Sequence, residues 1–375
     1  MARTIASDTQ SERDGRFMDI ALRLARRGLG NTAPNPAVGA VIVDEASGEV
    51  IARGWTQPGG RPHAETEALR RAGARARGAT MYVSLEPCSH HGGTPPCADA
   101  LVEAGLARVV VGIEDPDARV AGRGLDRLRA AGISVTRGVR SEEADWVARG
   151  HILRVSERRP FIQLKLALSA DGSVPRGTEG KPVWVTGPEA RAQGHLLRAM
   201  SDAILVGSRT VRDDDPELTC RLPGLADRSP VRVVLARDLD IPIESKLIRS
   251  ARDVPVMVFC GADADARKRA ALEKHGCEVI PVRVVEGMLW LPAVTEGLAA
   301  RSITRLLVEG GPAVWRSFAR AGFVDEAVVF QARGRAGIVR RPPAAYLPGV
   351  DLMLTAQREF GPDDMMIFRR PNRPA

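Results

Sequence analysis

Cysteine is scarce in this chain of 375 residues: there are five, Cys88, Cys97, Cys220, Cys260 and Cys277. So sparse and odd a set excludes a disulfide framework of the kind that staples small secreted domains. Long apolar runs are lacking too. No stretch approaches the ~18 apolar residues of a membrane-spanning helix. The first fourteen residues, ending at Asp14, are polar without an apolar core, so they do not read as a secretory signal. These absences set the cytoplasm as the expected location. No Gly-x-Gly-x-x-Gly follows a strand-like segment, which excludes the Rossmann fingerprint. There is no internal repeat and no low-complexity segment.

What is present is a soluble-protein composition, with 44% hydrophobic and 27% charged residues, enough for two domains. The net charge is +8 and the pI about 9.7. A basic excess suits nucleic acid, a membrane surface or a small phosphorylated molecule. Here the arginines are dispersed among acids, and clusters such as Arg158-Arg159 and Arg369-Arg370 are short. The expected partner is therefore a small phosphorylated substrate, with no nucleic acid and no membrane. A homo-oligomer is compatible with the sequence.

Residues 1–15 read as a disordered tail, followed by a helix from Met18 to Arg27 that ends at Gly28. Asn31 to Pro36 is a loop, because each proline restricts its predecessor. Val38–Val43 and Val50–Gly54 form a hairpin about the Ser47-Gly48 turn. Helices at His63–Arg71, Ala98–Ala104 and Leu125–Ala131 then alternate with strands at Ala79–Leu85, Arg108–Ile113 and Ile133–Thr136. Such alternation marks an α/β layer fold. The polar stretch from Ser156 to Pro160 is the expected boundary, giving domains at 16–155 and 160–375. The second series has strands at Phe161–Leu168, Ala203–Val206, Val231–Leu235, Val256–Phe259, Leu306–Val308 and Ala327–Phe330.

The first half carries a candidate metal centre. His63-Ala64-Glu65 opens a helix, Pro87-Cys88 follows a strand, and Pro96-Cys97 opens the next helix. One imidazole and two thiolates suit a borderline-soft ion, and a catalytic zinc takes three protein ligands with one open position. Glu65, two residues after the histidine, can move protons beside the metal without ligating it. The pattern resembles the His-x-Glu and Pro-Cys-x-x-Cys of the zinc nucleobase deaminases, with eight residues between the cysteines in place of two. A structural zinc with a fourth ligand from His90 or His91 is the alternative.

Three segments carry a closer resemblance: Pro34-Asn35-Pro36-Ala37-Val38-Gly39, His63-Ala64-Glu65, and the run from Glu86-Pro87-Cys88 to Pro96-Cys97. They resemble the deaminase half of the bifunctional riboflavin-synthesis deaminase/reductase family. The resemblance implies a cytidine-deaminase-like three-layer domain acting on a diamino-ribosylamino-pyrimidinone 5′-phosphate. It also implies zinc on His63, Cys88 and Cys97, Glu65 as proton shuttle, and Asn35 near the pyrimidine. The chain departs from the family pattern at Thr66-Glu67, Gly93 and Asp117-Ala118.

In the second half, Leu306–Pro312 reads as a strand entering a glycine turn before a helix, a ready anion site. Phe161–Gly172, Trp184–Gly187, Leu197-Arg198-Ala199, Ser201–Gly207, Thr210, Asp213–Pro216 and Glu309–Pro312 together resemble the reductase half of the same family, whose fold is similar to dihydrofolate reductase. The resemblance implies NADPH contacts at Ala167, Trp184, Thr210, Asp214 and the Gly311-Pro312 turn. It implies substrate contacts at Arg198, Leu218, Arg221 and Glu309. Arg198 and Arg221 suit a phosphate clamp, and Lys165, at a strand end, suits polarisation of the sugar carbon that accepts hydride. Departures fall at Pro182 and from Gln331 to Gly337. The expectation is a bifunctional enzyme that deaminates the pyrimidine and then reduces its ribosyl chain to ribityl. The competing reading is a zinc deaminase acting on RNA or another nucleobase, with a degenerate, non-catalytic reductase-like half.

Overall fold

A computed structural model describes residues 9–90, 95–117, 120–174, 184–333, 347 and 349–371. By its internal contacts the chain forms two units, Met1–Arg158 and Arg159–Ala375. The departures at Gly93, Ala118, Pro182 and 334–337, and His91, lie outside the described residues.

In the first unit the elements are α1 (Gln10–Arg26), β1 (Gly39–Val43), β2 (Val50–Trp55), α2 (Ala64–Ala72), β3 (Thr80–Leu85), α3 (Cys97–Ala104), β4 (Arg108–Ile113), α4 (Arg123–Ala130), β5 (Ser134–Arg137) and α5 (Ser141–Ser156). Among the described residues they build one sheet in the order β2-β1-β3-β4-β5. The β1 pairings are antiparallel, and β3-β4-β5 run parallel. Both faces are covered, which is why the strands are apolar throughout and not alternating. Ala40, Ile42, Met81, Val83, Val109 and Val111 pack with Ala64, Ala68, Leu101, Leu125 and Leu128. On the other side α1 packs on β1 and β3 and meets α5, making three layers.

Two glycines set the spacing of these layers. A Cβ on Gly39 would overlap the Ala21 carbonyl of α1, and one on Gly54 would overlap the Ala64 carbonyl of α2. Both helices therefore ride on the sheet at backbone contact, which only glycine allows.

The expected disordered tail is corrected at its C-terminal end, because α1 starts at Gln10. A capping box fixes the start: the Glu12 N–H donates to Thr9 Oγ1 at 3.3 Å, and the Thr9 N–H donates to Glu12 Oε2 at 2.9 Å. Asp14 is then buried, and it accepts from Arg108 at 2.9 and 2.6 Å and from the Tyr82 hydroxyl at 2.9 Å. Polarity in this stretch reflects a cap and an ion pair, not disorder.

The second unit contains β6 (Phe161–Leu168), α6 (Pro188–Ala199), β7 (Ala203–Gly207), α7 (Ser208–Asp214), β8 (Val231–Leu235), α8 (Lys246–Arg249), β9 (Val256–Gly261), α9 (Ala266–Lys274) and β10 (Glu278–Val282). A small hairpin of β11 (Val284–Val285) and β12 (Met288–Leu289) follows. Then come α10 (Leu291–Ala300), β13 (Arg305–Val308), α11 (Pro312–Arg320), β14 (Glu326–Ala332), β15 (Met353–Phe360) and β16 (Asp363–Arg369). Among the described residues the main sheet runs β10-β9-β8-β7-β13-β6-β14-β16-β15, parallel except for the last two pairings. Ile162, Leu164, Leu166, Leu205 and Val308 pack on one face, and Ile204, Val206, Val234, Leu307 and Val328 on the other. Because β13 sits between β6 and β7, the chain reverses its order of addition there. A crevice opens beyond the carboxyl ends of parallel strands at such a switch point.

The pairing of Asp14 with Arg108 yields a stability prediction. Arg108→Ala strands a buried carboxylate and should lower the stability of the first unit by about 2–3 kcal/mol. Burial opposes charge on Asp14, but the hydrogen bonds from Arg108, Gln10 and Tyr82 prevail and hold its carboxyl below the usual range. Its contribution is therefore full above the unfolded carboxyl pKa and is lost as pH falls through the depressed one. Urea unfolding of wild type and variant, at neutral and at acid pH, measures both. Equal midpoints at neutral pH would show that α1 is held by other contacts.

Candidate active sites

The first site is assembled from three segments. Pro62 precedes His63, which stands in extended conformation as the N-cap of α2, so that Glu65 falls in the first helical turn. Backbone contact of α2 with Gly54 fixes this helix start. Cys97 is the first residue of α3, capped by Pro96. Cys88 lies beyond β3 on the run from Glu86, and the Cys97 N–H donates to its Sγ at 3.3 Å.

His63 Nδ1 lies 3.3 Å from Cys97 Sγ and 3.8 Å from Cys88 Sγ. All three ligand atoms fall within 4.8 Å of one another. Nitrogen and sulfur ligands on opposite edges of a tetrahedral zinc are roughly 3.5 Å apart, from the usual bond lengths. The donor set and its spacing therefore fit zinc. Among the described residues no fourth ligand joins the cluster, and His90 stands in the cavity wall outside it. Three such ligands are the number that a catalytic zinc takes from the protein.

The electrostatics agree. The Cys88 thiol is held down to about 4 by its hydrogen bond with Cys97, against burial, with His63 adding to the shift. The same contacts raise His63 and, together with burial, Cys97. A thiolate is thus in place on Cys88. Burial raises the Glu65 carboxyl above its usual range.

The cluster opens into a cavity of about 240 Å³ lined by Asn35, His63, Glu65, Cys88, Asp115, Asp117 and His151, among others. The Asn35 Nδ2 donates to the Gly60 carbonyl at 2.8 Å. Glu86 is the main organiser that the sequence did not disclose. Its carboxylate accepts from the N–H groups of Asp115, Gly122, Gly124 and Leu125 at 3.0–3.4 Å. This clamps the loop after β4 to the strand that leads into Cys88. His151 of α5 was also missed; its Nε2 lies 3.2 Å from Asp115 Oδ1. Of the departures, Asp117 lines the cavity, whereas Glu67 is buried against Arg70 and Arg71 at 3.0 and 2.5 Å.

The second site lies at the switch point. A cavity of about 470 Å³ is lined by Lys165, Ala167, Trp184, Arg198, Thr210, Asp214, Leu218, Arg221, Glu309 and Gly311. Pro312 is the first residue of α11. The structure thus lines one cavity with the residues expected here, Pro312 apart, and gives each of the two arginines of the expected phosphate clamp a carboxylate partner. Arg198 grips Glu309 in a fork, Nε to Oε1 and Nη2 to Oε2, both at 2.9 Å, and its Nη1 donates to the Thr219 carbonyl at 3.0 Å. Arg221 is half-exposed and reaches Glu217 at 3.0 Å. Lys165 Nζ stands 3.9 Å from Glu309 Oε2. Burial works against charge on Glu309, yet Arg198 and Lys165 overcome it and hold this carboxyl at about 2. His195, Thr186, Arg191, Lys246 and Trp315 also line the wall and were not named as site residues. For His195 a signal existed: three residues before Arg198 on a helix, it shares that residue's face.

Gly310 and Gly311 form a bare turn into α11. A Cβ on Gly310 would press on Val314 at 2.8 Å, and one on Gly311 would meet open space. Backbone N–H groups at a helix start beside a large cavity suit the phosphates of a dinucleotide.

The two sites define the class: a zinc deaminase joined to an α/β reductase. Residues 11–113 match the cytidine and deoxycytidylate deaminase zinc-binding region, and residues 160–354 match the RibD C-terminal domain. The riboflavin biosynthesis protein RibD of Escherichia coli (strain K12) is 40% identical over 368 residues, 93% of this chain and 97% of the relative. That of Aquifex aeolicus (strain VF5) is 40% identical over 321 residues, 86% of this chain and 87% of the relative. Among solved structures, Acinetobacter baumannii RibD (form 1) superposes with a TM-score of 0.81 at 32% identity, covering 97% of this chain and 100% of that one. The diaminohydroxyphosphoribosylaminopyrimidine deaminase/5-amino-6-(5-phosphoribosylamino)uracil reductase of Thermotoga maritima does so with a TM-score of 0.80 at 32% identity, covering 96% and 100%. The chain belongs to the RibD family, the bifunctional deaminase/reductases of riboflavin biosynthesis. Its deaminase half is a zinc-binding domain and its reductase half uses NADPH. Among the described residues no helix is long and apolar enough to cross a membrane.

The metal centre generates a direct prediction. Purified protein should carry about one zinc per chain, measured by plasma mass spectrometry. Cys88→Ser and Cys97→Ser should each lose it. Full retention in both variants would remove these residues from the metal site.

Proposed function

We propose that the first unit hydrolyses an exocyclic amine of 2,5-diamino-6-(5-phosphoribosylamino)pyrimidin-4-one at the His63–Cys88–Cys97 centre. The second unit then reduces the ribosyl chain of the deaminated product to ribityl. One observation supports this reading above the others: a buried carboxylate, Glu65, stands beside the three-ligand cluster without joining it. Neither a structural metal nor packing calls for that group.

His63 Nδ1 and the two thiolates would hold a zinc ion, which would supply Lewis-acid activation of water. Glu65 would take one proton from the attacking water and pass it to the ring nitrogen, then take the remaining hydroxyl proton and pass it to the amine that leaves as ammonia. Burial shifts its carboxyl upward, which suits a group that must both take and release a proton. Asn35, anchored on Gly60, presents its side-chain carbonyl to the pyrimidine amines.

In the second unit NADPH supplies the hydride when bound, held by Ala167, Trp184, Thr210, Asp214 and the Gly311-Pro312 turn. Glu309 stays ionised and orients Lys165 and Arg198. Lys165 polarises the sugar carbon that receives the hydride, while Leu218 and Arg221 contact the substrate. Arg221, half-exposed in the cavity wall, is a cation suited to the phosphate. We place both reactions in the cytoplasm, consistent with cysteines that form no disulfides among the described residues. An RNA deaminase reading leaves the Lys165–Glu309–Arg198 group without a purpose.

Glu65→Gln keeps the shape but cannot shuttle a proton. Zinc content should be unchanged and ammonia release should fall by about 100-fold or more. Near-normal turnover would assign the proton to another group. The two activities should also separate. Folded Cys88→Ser protein supplied with the deaminated intermediate should oxidise NADPH at the wild-type rate. Complete loss of that reduction would argue for a single composite site.

A further inference from the structure

The reductase cavity contains a titratable side chain that no step above uses. His195 lies on α6, one turn before Arg198, and lines the cavity. Its Nδ1 accepts the backbone N–H of Arg221 at 3.3 Å, and its own carbonyl accepts the Cys220 thiol at 3.4 Å. One turn on, Arg198 Nη1 donates to the Thr219 carbonyl at 3.0 Å. The same face of α6 therefore holds three successive residues of the loop that carries Leu218 and Arg221.

That loop needs holding. Asp215 and Leu218 have φ of +39° and +58°, left-handed conformations that side-chain-bearing residues adopt only under outside constraint. Leu218 is nevertheless buried, facing the cavity. On the far side, fully buried Arg232 donates to the Glu217 carbonyl at 3.3 Å, and the Cys220 N–H donates to Ser229 Oγ at 3.1 Å. The loop is gripped from both sides, and the cavity-side grip passes through an imidazole.

We propose that His195 is a positioning residue: its neutral Nδ1, by accepting the Arg221 N–H, holds the Glu217–Arg221 loop in the register that binds the pyrimidine substrate. The inference rests on the reading of this cavity as the reductase site. Protonation would turn the Nδ1 acceptor into a donor facing a donor. It would also set a cation beside Arg198 and Arg221, with Glu309 as the opposing charge and the Thr219 carbonyl as a further acceptor. Burial, then Arg198 and Arg221, hold the His195 pKa below its usual value, while Glu309 pulls the other way. The imidazole is thus neutral in the working range, and substrate affinity should fall when acid charges it.

The test is steady-state NADPH oxidation by the full-length protein supplied with the deaminated intermediate, from pH ~5.5 to ~8. In wild type, KM for the pyrimidine should rise on acidification while NADPH affinity, measured by fluorescence titration, stays level. His195→Ala should raise KM about five- to tenfold at neutral pH, the scale of one lost hydrogen bond, with kcat within about twofold. His195→Asn places a carbonyl near the Nδ1 position. It should restore KM to within about twofold and abolish the acid-side rise. His195→Gln, whose amide reaches the Nε2 position, should not restore it. A wild-type KM for His195→Ala, or an Asn variant as impaired as Gln, would overturn the proposal. If His195→Ala fails to fold by circular dichroism, the Asn–Gln comparison decides alone. A wild-type chain that oxidises no NADPH would overturn the reading of the cavity itself, a result distinct from any of these.

Discussion

Three ligand atoms from three separate stretches of chain must converge within 4.8 Å, and the architecture of the first unit follows from that requirement. His63 is brought in by a helix start that touches the sheet backbone at Gly54, a contact with no room for a side chain. Cys97 is brought in by another helix start and donates its N–H to Cys88. Cys88 depends on Glu86, two residues earlier, which takes up four backbone N–H groups of the Asp115–Leu125 loop. A buried carboxylate needs compensation, and here the compensation doubles as a clamp. The residue that leads into a metal ligand also shapes the opposite cavity wall, so ligand geometry and substrate space are set together.

The second unit answers a different requirement. Its site sits where β13 is inserted between β6 and β7, so the groups at their carboxyl ends face one crevice. Glu309, at the end of β13, is ionised at depth because Arg198 and Lys165 flank it. That pairing changes the reading of Arg198. By type it suits a phosphate, yet its fork is matched to a carboxylate of the protein itself. It acts as a strut that fixes Glu309 on one side and the Thr219 carbonyl on the other.

How much of this the sequence carried depends on whether the signal was local. The metal cluster was legible because each ligand stands at a proline-marked helix start or strand end. Phe161–Leu168 and Val231–Leu235 were legible because buried parallel strands are continuous apolar runs. The first turns of α1 were misread, although Thr9 and Glu12 spell a capping box, because the buried Asp14 looks like a solvent residue until Arg108, 94 positions away, is beside it. The β15–β16 hairpin was missed for another reason. Met353–Phe360 is an edge strand exposed along most of its length, so no core-facing alternation marks it. The partnership of Arg198 with Glu309 spans 111 residues, and nothing in either neighbourhood announces the other.

The two sites also solve one electrostatic problem in opposite directions. Each buries a glutamate. Glu65 has burial as its dominant influence, with the thiolate of Cys88 adding repulsion and His63 attraction, and its carboxyl is pushed upward. Glu309 suffers the same burial, but a bidentate guanidinium and an ammonium reverse the outcome. Deamination needs a carboxyl that exchanges a proton during the reaction, and burial shifts the Glu65 carboxyl toward its protonated form. Hydride reduction needs a fixed negative charge that orients cations, and a depressed pKa keeps it fixed. The same side chain is thus pushed toward its protonated or its charged form according to how strongly cations reach it. The choice of neighbours, a zinc-ligand set in one unit and Arg198 with Lys165 in the other, is what divides the two chemistries between them.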